Sequence, residues 1–453
     1  MGVTERVNGH RWGRVGVLVS LALGAIAGMT EAQTLPRVDG ALTMSQAVDL
    51  ALDKSLRVKA SSADASAMES MRREALAPFW PQLSANGYFV NQRMAPNVYT
   101  SAGNTMARNY QVFGADQNRD GNFTAMYSLF SGGRDYYAYR AAAHRADAGR
   151  EMLRGAEVDV AMQARLDYIA AVRETENLQV LADLLGNIDE RLRVTRQQFE
   201  AGRVPRYYVL RDEAERANVV QMQAMTQSRT ELALVALKTT LGIDLASAIT
   251  LSDRLDYVPM ILSIEEGIRE ASERQPELKA ALKQREAAEA EVRAAYGNYF
   301  PQVSLGYMYD WLWSKNRNEP KGNDDGYSVG VVVTLPLFDG FLRENTLKTS
   351  KSKLERAVQA EGLVRQQIAR DVNQAALMLT AADKSVAAGR SGVVVAEEDS
   401  RVVRERFEAG RGIQVEVLDA QVALTRARFN IVNALAEYHN ALAMWLRAIG
   451  RTR

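Results

Sequence analysis

Phe199-Glu200-Ala201-Gly202-Arg203 recurs letter for letter as Phe407-Glu408-Ala409-Gly410-Arg411, 208 residues further along the chain. The register holds around it. Leu129-Phe130 and Gly132 fall on Leu337-Phe338 and Gly340, Val209-Leu210 on Val417-Leu418, and Gly242 on Gly450. Towards the N-terminus the offset becomes 220: residues 43–84 align without gaps on 263–304, with Lys59-Ala60 on Lys279-Ala280, Arg73 on Arg293 and Pro81-Gln82 on Pro301-Gln302. A constant register over so long a stretch marks an internal duplication. The change of offset falls between residues 84 and 129, in what reads as a loop between strands.

Each half then reads in the same order. Residues 43–77 and 263–299 are rich in Ala, Glu, Lys and Arg and run up to a proline, which predicts one helix in each. Next, Val303, Leu305, Tyr307, Tyr309, Trp311 and Trp313 alternate with Ser304, Gly306, Met308 and Asp310, the period of a strand with one aromatic-rich face. Tyr327, Val329, Val331, Val333 and Leu335 predict its return strand, with the polar stretch 314–326 as the loop. Weaker strands are expected near Leu83–Val90 and Phe123–Leu129. No proline lies between Pro96 and Pro205 or after Pro336, and Leu178, Leu181, Leu185, Ile188 and Leu192 keep a three-four spacing. That periodicity predicts coiled-coil helices, the first over about residues 136–200 and on the order of 100 Å long at about 1.5 Å per residue. The Phe-Glu-Ala-Gly-Arg segments then become the turns of two antiparallel helical hairpins.

Composition narrows the setting. Lys and Arg total 56 against 55 Asp and Glu, so no global field calls for nucleic acid. Arg6, Arg11 and Arg14 precede an apolar run from Val15 to Met29 that is shorter than the ~20 residues a spanning helix needs. Residues 1–32 therefore read as a cleaved signal peptide. The absence of cysteine excludes disulfides, thiolate metal sites and a lipid-bearing N-terminal Cys. With no long apolar helix in the mature chain, entry into a membrane requires a closed β-barrel. Two hairpins supply four strands, whose unpaired edges hydrocarbon cannot satisfy. Two copies would make eight strands and a filled interior, whereas three would make about twelve and leave a passage. In such a barrel Val303, Leu305, Tyr307, Tyr309, Trp311, Val329, Val331 and Val333 face lipid.

The duplicated order of helix, β-hairpin and long helical hairpin, the Pro-Gln after each first helix, the Leu-Phe-x-Gly before each long helix and the paired Phe-x-Ala-Gly turns resemble the TolC-like outer-membrane efflux family over residues 43–450. The fold class that follows is mainly α with β: duplicated hairpins forming a periplasmic α-barrel, and four strands per chain in a twelve-stranded transmembrane barrel shared by a homotrimer. The expected units are a first repeat at 33–242, an equatorial linker at 243–262 and a second repeat at 263–453. The resemblance implies a passive exit duct of a tripartite efflux pump or type I secretion system in the outer membrane of a Gram-negative bacterium. Its partners would be a periplasmic adaptor, an inner-membrane pump and outer-membrane lipid. By position, Glu416 and Asp419 match the acids that line the periplasmic aperture in similar proteins, and Gly202, Arg203, Gly410 and Arg411 match the adaptor-contact tips. The basic residue often placed before the aperture acids is replaced here by Gly412, so a latch of salt bridges would either use Arg411 instead or be absent.

Nothing in the sequence calls for an enzyme, a cofactor or a metal site. His144 and His439 read as isolated on helices, and the 16 Met read as scattered gap-fillers in cores. Arg191, Arg193, Arg196, Arg203 and Arg206 surround the first turn and Arg401, Arg404, Arg406 and Arg411 the second, either as a solvated charged face or as an adaptor-facing ring with expected salt bridges to Glu200 and Glu408. The competing reading is a periplasmic coiled-coil adaptor or tether without a pore. Such a chain usually offers one hairpin between soluble β-domains, whereas this one has two, each preceded by a lipid-like strand pair.

Overall fold

The structure is a computed structural model and describes residues 35–91, 117–260, 262–315 and 322–452. The signal-peptide reading and the loops joining the strands of each hairpin lie outside the described residues. Strand β1 (Gly40–Leu42) leads into helices α1 (Met44–Lys54) and α2 (Leu56–Glu74), then β2 (Gln82–Asn91) and β3 (Gln117–Phe130). The long helix α3 (Arg134–Glu200) and its return α4 (Arg206–Leu241) complete the first half. After β4 (Ile249–Leu251) the order repeats as α5 (Ile264–Arg274), α6 (Pro276–Gly297), β5 (Gln302–Lys315), β6 (Gly322–Thr334), α7 (Leu342–Glu408) and α8 (Gln414–Ala448). No described helix is long and apolar enough to cross a membrane.

Two expectations need correction. The helices expected over 43–77 and 263–299 are each broken in two, at Ser55 and at Gln275, positions that correspond at the offset of 220. The second break has an evident cause in Pro276, whose ring clashes with the preceding turn. In the first half the Ser55 side chain instead caps α2 by accepting the Arg57 N–H. The loop expected over 314–326 is also shorter: Ser314, Lys315 and Gly322 to Gly326 belong to the strands, because ladder pairing continues through this polar sequence as far as Ser314 opposite Gly322.

The four long strands form one antiparallel sheet in the order β2-β3-β5-β6. Its register sorts the side chains. Leu305 lies opposite Val331, Tyr307 opposite Val329 and Tyr309 opposite Tyr327, and across the middle ladder Phe123 meets Tyr309 and Ala125 meets Tyr307. Directly opposed residues share a face, so Leu83, Phe123, Tyr127, the six β5 and β6 residues just named, and Val333 line one side. The other carries Ser84, Asn86, Asn122, Thr124, Asp310 and Ser328, with Asn86 Nδ2 donating to Asn122 Oδ1 at 2.9 Å. The apolar face is uncovered in the single chain, Tyr327 being 75% and Val329 65% exposed. It ends at Asp325, opposite Trp311, whose carboxylate accepts the Tyr309 hydroxyl at 3.1 Å.

Below the sheet the helices make a single layer. Near the strands α3 packs between α2 and α6, and α6 packs on α7; further away α3 packs between α4 and α8, and α8 on α7. The seam between α3 and α4 buries Leu181, Leu184, Ile188 and Val219. Midway along, β1 pairs in parallel with β4, and residues 252–258 form a strap across the helices. Tyr168 on α3 donates its hydroxyl to Leu42 O at 2.8 Å, and burial pushes that hydroxyl up to about 12, so it stays a donor at neutral pH. Tyr438 holds Val258 O at 2.6 Å, His439 holds Asp256 O at 2.7 Å, and Tyr257 reaches Asp383 on α7.

Every long helical hairpin arm that turns or ends does so on a left-handed glycine: Gly202, Gly242, Gly410 and Gly450, with φ between 68° and 75°. Arg203 N–H closes on Gln198 O and Arg411 N–H on Arg406 O, both at 2.8 Å, the bond of a Schellman cap. The two ends serve different purposes. A methyl on Gly242 would stand 2.7 Å from Lys54 O, at the α1–α2 break, whereas one on Gly202 would meet nothing within 4 Å. Both alanine variants incur the left-handed penalty of about 1–2 kcal/mol, but only Gly242→Ala adds a backbone collision. Thermal melts should therefore place Gly242→Ala clearly below Gly202→Ala; equal melting temperatures would contradict this account of the cap.

Candidate functional site

The end of the layer opposite the sheet gathers the residues expected to act. Gly202, Arg203, Gly410 and Arg411 are exposed at the two turns. In α8, Glu416 and Asp419 follow one turn apart on one helix face, Asp419 exposed and Glu416 half-buried beside Gly412. Glu416 Oε2 is buried without a partner among the described residues. No ion pair joins Arg411 to either acid among the described residues. Within one chain, therefore, the described residues show no Arg411 latch, one of the two alternatives the sequence leaves open.

The expected pairing of the turn arginines with Glu200 and Glu408 is also not what forms. Arg193 bonds Glu190 at 2.6 Å, Arg196 bonds Glu213 at 2.6 Å across the hairpin, and Arg401 takes Glu398 and Glu405, each at 2.6 Å. The pairs that form lie three or four residues apart on one helix or level across the seam. Such exposed pairs are screened by water and contribute little to stability.

The interaction that matters here escaped the sequence reading. Asp212, on α4, has no solvent exposure at all, and accepts Arg191 Nε at 2.9 Å, Thr195 Oγ1 at 2.9 Å and Gln414 Nε2 at 3.2 Å. Arg191 also reaches Gln421 on α8. One buried carboxylate thus ties α3 and α4 to the first turn of α8, directly beside Glu416. The available signal was a charge inside an apolar stripe: Asp212 stands between the buried Val209 and Val219, and Arg191 three residues after the buried Ile188.

A second hub lies midway up. Arg447 on α8 bonds Asp159 on α3 at 3.0 Å, Glu277 on α6 at 2.8 Å and Asp371 on α7 at 3.3 Å. His144, expected to be isolated, sits 3.0 Å from Glu286, and His439 serves the strap. Nor are the methionines mostly core. Met68, Met71 and Met152 line one cavity near the strands, Met162, Met378 and Met444 one at the Arg447 hub, and Met222 and Met225 one between α3, α4 and α8.

These cavities share a side of the layer. Arg173, Asn177, Leu181, Leu184, Ile188 and Arg191 line them as one stripe of α3 at three- and four-residue spacing, apart from Tyr168, which faces the strap. On α8, Asp419 and the strap-bound His439 are twenty residues apart in sequence, which sets them about 160° apart around the helix at 3.6 residues per turn. The acids thus face away from the strap, as the cavities do.

Comparison with known proteins agrees with this architecture. The family model for outer membrane efflux proteins matches residues 267–451. Protein CyaE of Bordetella pertussis is 26% identical over 387 residues, covering 83% of this chain and 81% of that protein. Outer membrane protein OprJ of Pseudomonas aeruginosa is 24% identical, covering 89% and 83%. Among solved structures, the outer membrane protein VceC of Vibrio cholerae matches with a TM-score of 0.73 at 18% identity over 90% of this chain and 96% of that one. The Campylobacter jejuni CmeC outer membrane channel gives 0.75 at 16%, covering 90% and 85%. A layer of hairpins carrying a sheet with one lipid-like face defines an outer-membrane exit duct. Residues 267–451 match the outer membrane efflux protein family, the chain as a whole resembles TolC-like outer membrane factors, and its place is the Gram-negative outer membrane with an extension into the periplasm.

Removing Asp212 leaves Arg191 buried without its counter-charge, a loss of about 3–5 kcal/mol for a buried pair. Asp212→Ala should accordingly speed amide exchange across residues 188–196 and 414–421, while Asp212→Asn, which keeps the size and one acceptor, should do so less. Unchanged exchange in the alanine variant would show that the network holds nothing together.

Proposed function

We propose that three copies of this chain close one barrel and one helical tunnel, and that the duct conducts cargo outward when an adaptor and an inner-membrane pump engage its periplasmic end. The observation that carries the reading is the pair of free sheet edges, β2 and β6. The duplication says how they meet. Inside the chain, β3 of the first repeat pairs with β5 of the second, Phe123 opposite Tyr309 and Ala125 opposite Tyr307. Shifting the first member by 208 and the second by 220 places Val331 of one copy opposite Phe89 of the next, and Val333 opposite Gly87. All four belong to the apolar face, so the repeated contact preserves it. Four strands per copy make twelve, wide enough for a passage.

The helices support the same closure. Leu363, Leu377, Val394 and Val395 on α7 and Leu210 and Leu232 on α4 are exposed in the single chain, at the two edges of the layer. Contiguous apolar surface of that kind marks an interface. In a closed ring the strap lies outside and the cavities and acids face the axis. Glu416 and Asp419 then recur three times, a focus of negative potential at the narrow end. The open space at Gly202 and Gly410 suits the turns to adaptor contact, and docking there would draw α8 away from α3 and α4 against the Asp212 network.

Two measurements test this. A Val331→Cys, Phe89→Cys chain has no other cysteine, and mild oxidation should convert it to a covalent trimer on denaturing gels. A Val332→Cys, Phe89→Cys chain, with its thiols on opposite faces, should stay monomeric. Crosslinking of the second pair in preference to the first would overturn the register.

In planar bilayers, Glu416→Ala with Asp419→Ala should raise the resting conductance and weaken block by trivalent cations added on the periplasmic side. Wild-type conductance and wild-type block in the double variant would move the constriction elsewhere.

A further inference from the structure

Directly above the Asp212 network, α3, α4 and α8 enclose a cavity of about 230 Å³. Its walls are largely apolar: Leu184 and Ile188 from α3, Met222 from α4, and Leu418, Val422 and Phe429 from α8. Three charged side chains complete it, the guanidinium groups of Arg191 and Arg426 against the single carboxylate of Glu215. Arg191 spends its Nε on Asp212 and one terminal nitrogen on Gln421, while the other terminal nitrogen is buried and unpartnered among the described residues. A buried donor without an acceptor costs about 1–3 kcal/mol, and an occupant that supplies the acceptor recovers it.

We infer that this cavity is a binding site for small aromatic carboxylates, and that its occupancy staples α4 to α8 and holds the aperture shut. The chemistry selects the ligand class. The aliphatic walls and Phe429 take a flat apolar body of two fused rings, and Arg191 with Arg426 takes one anionic end. The location selects the effect: opening as read above separates α8 from α3 and α4, so a ligand touching all three binds the closed arrangement better and shifts the equilibrium towards it. The inference rests on that reading for its consequence, not for its site. The stripe of α3 that lines the cavity faces away from the strap, which in the closed ring read above turns the cavity towards the channel axis.

The test uses the mature full-length protein in lipid nanodiscs, with 2-naphthoate as probe and methyl 2-naphthoate as its uncharged counterpart. Saturation-transfer NMR should detect 2-naphthoate on the wild type. Val422→Trp or Met222→Trp, each filling the cavity from an exposed wall position on a different helix, should weaken binding at least about tenfold, about 1.4 kcal/mol. Arg191→Lys should weaken the acid and leave the ester unchanged. In amide exchange, the bound acid should slow residues 414–425 of the wild type and not of Val422→Trp. Undiminished binding to both tryptophan variants, or no binding to the wild type at millimolar probe, overturns the site. Binding that leaves residues 414–425 exchanging at the free rate overturns the staple. Neither readout needs a conducting channel, so a failed site leaves the duct reading standing, and a failed duct reading leaves the site measured.

Discussion

In hydrocarbon a backbone N–H or C=O without a partner has no water to fall back on, so a sheet whose one face is apolar and whose two edges are free must find its own continuation. The rest of this protein depends on that constraint. Each chain carries four strands, too few to close alone. In the proposed ring the duplication removes the difficulty, because the contact between the two repeats inside a chain would also serve as the contact with a second copy. Heterologous contacts of this kind generate closed rings when the rotation between units fits.

The helical layer obeys the same rule at lower cost. Water can satisfy the ends of a helix, so α3 and α7 extend far from the sheet and are held by seams of Leu, Ile, Val and Ala with glycine caps at every turn. Places where the repeats differ are where the layer departs from a passive wall. Gly133 at the start of α3 is matched by Phe341 at the start of α7, a non-glycine residue with φ 66° whose ring stacks edge-on with Phe338 at 5.6 Å. Both rings are exposed just past the end of β6, where an interfacial girdle is expected. Asp212 is matched by Ala420, so the second hairpin has no counterpart of the anion that joins the first hairpin to the first turn of α8. The repeats therefore differ in how their hairpins are joined to α8.

The duplication, the order of elements, the long hairpins and the alternating face of β5 and β6 were legible because period and register are properties of the chain itself. The helix breaks at Ser55 and Gln275 were not, although Pro276 announced the second. The strand extent beyond Trp313 was hidden by Asn323, Asp324 and Asp325, polar residues that a ladder tolerates at a barrel's wet end. At the turns, the glycines and the acids could be placed by spacing, but their partners could not. Arg191, Asp212, Gln414 and Gln421 lie far apart in sequence, and only packing of three helices brings them together. The methionines looked like core residues because sequence cannot tell which face of a seam a side chain leaves.

The central claim is that three chains share one barrel in the outer membrane. Native mass spectrometry of the protein extracted from outer membranes in mild detergent tests it most directly. The account predicts one dominant assembly with three times the mass of the mature chain, stable until the detergent is exchanged for a denaturing one. A monomer or dimer recovered from the same membranes would contradict it.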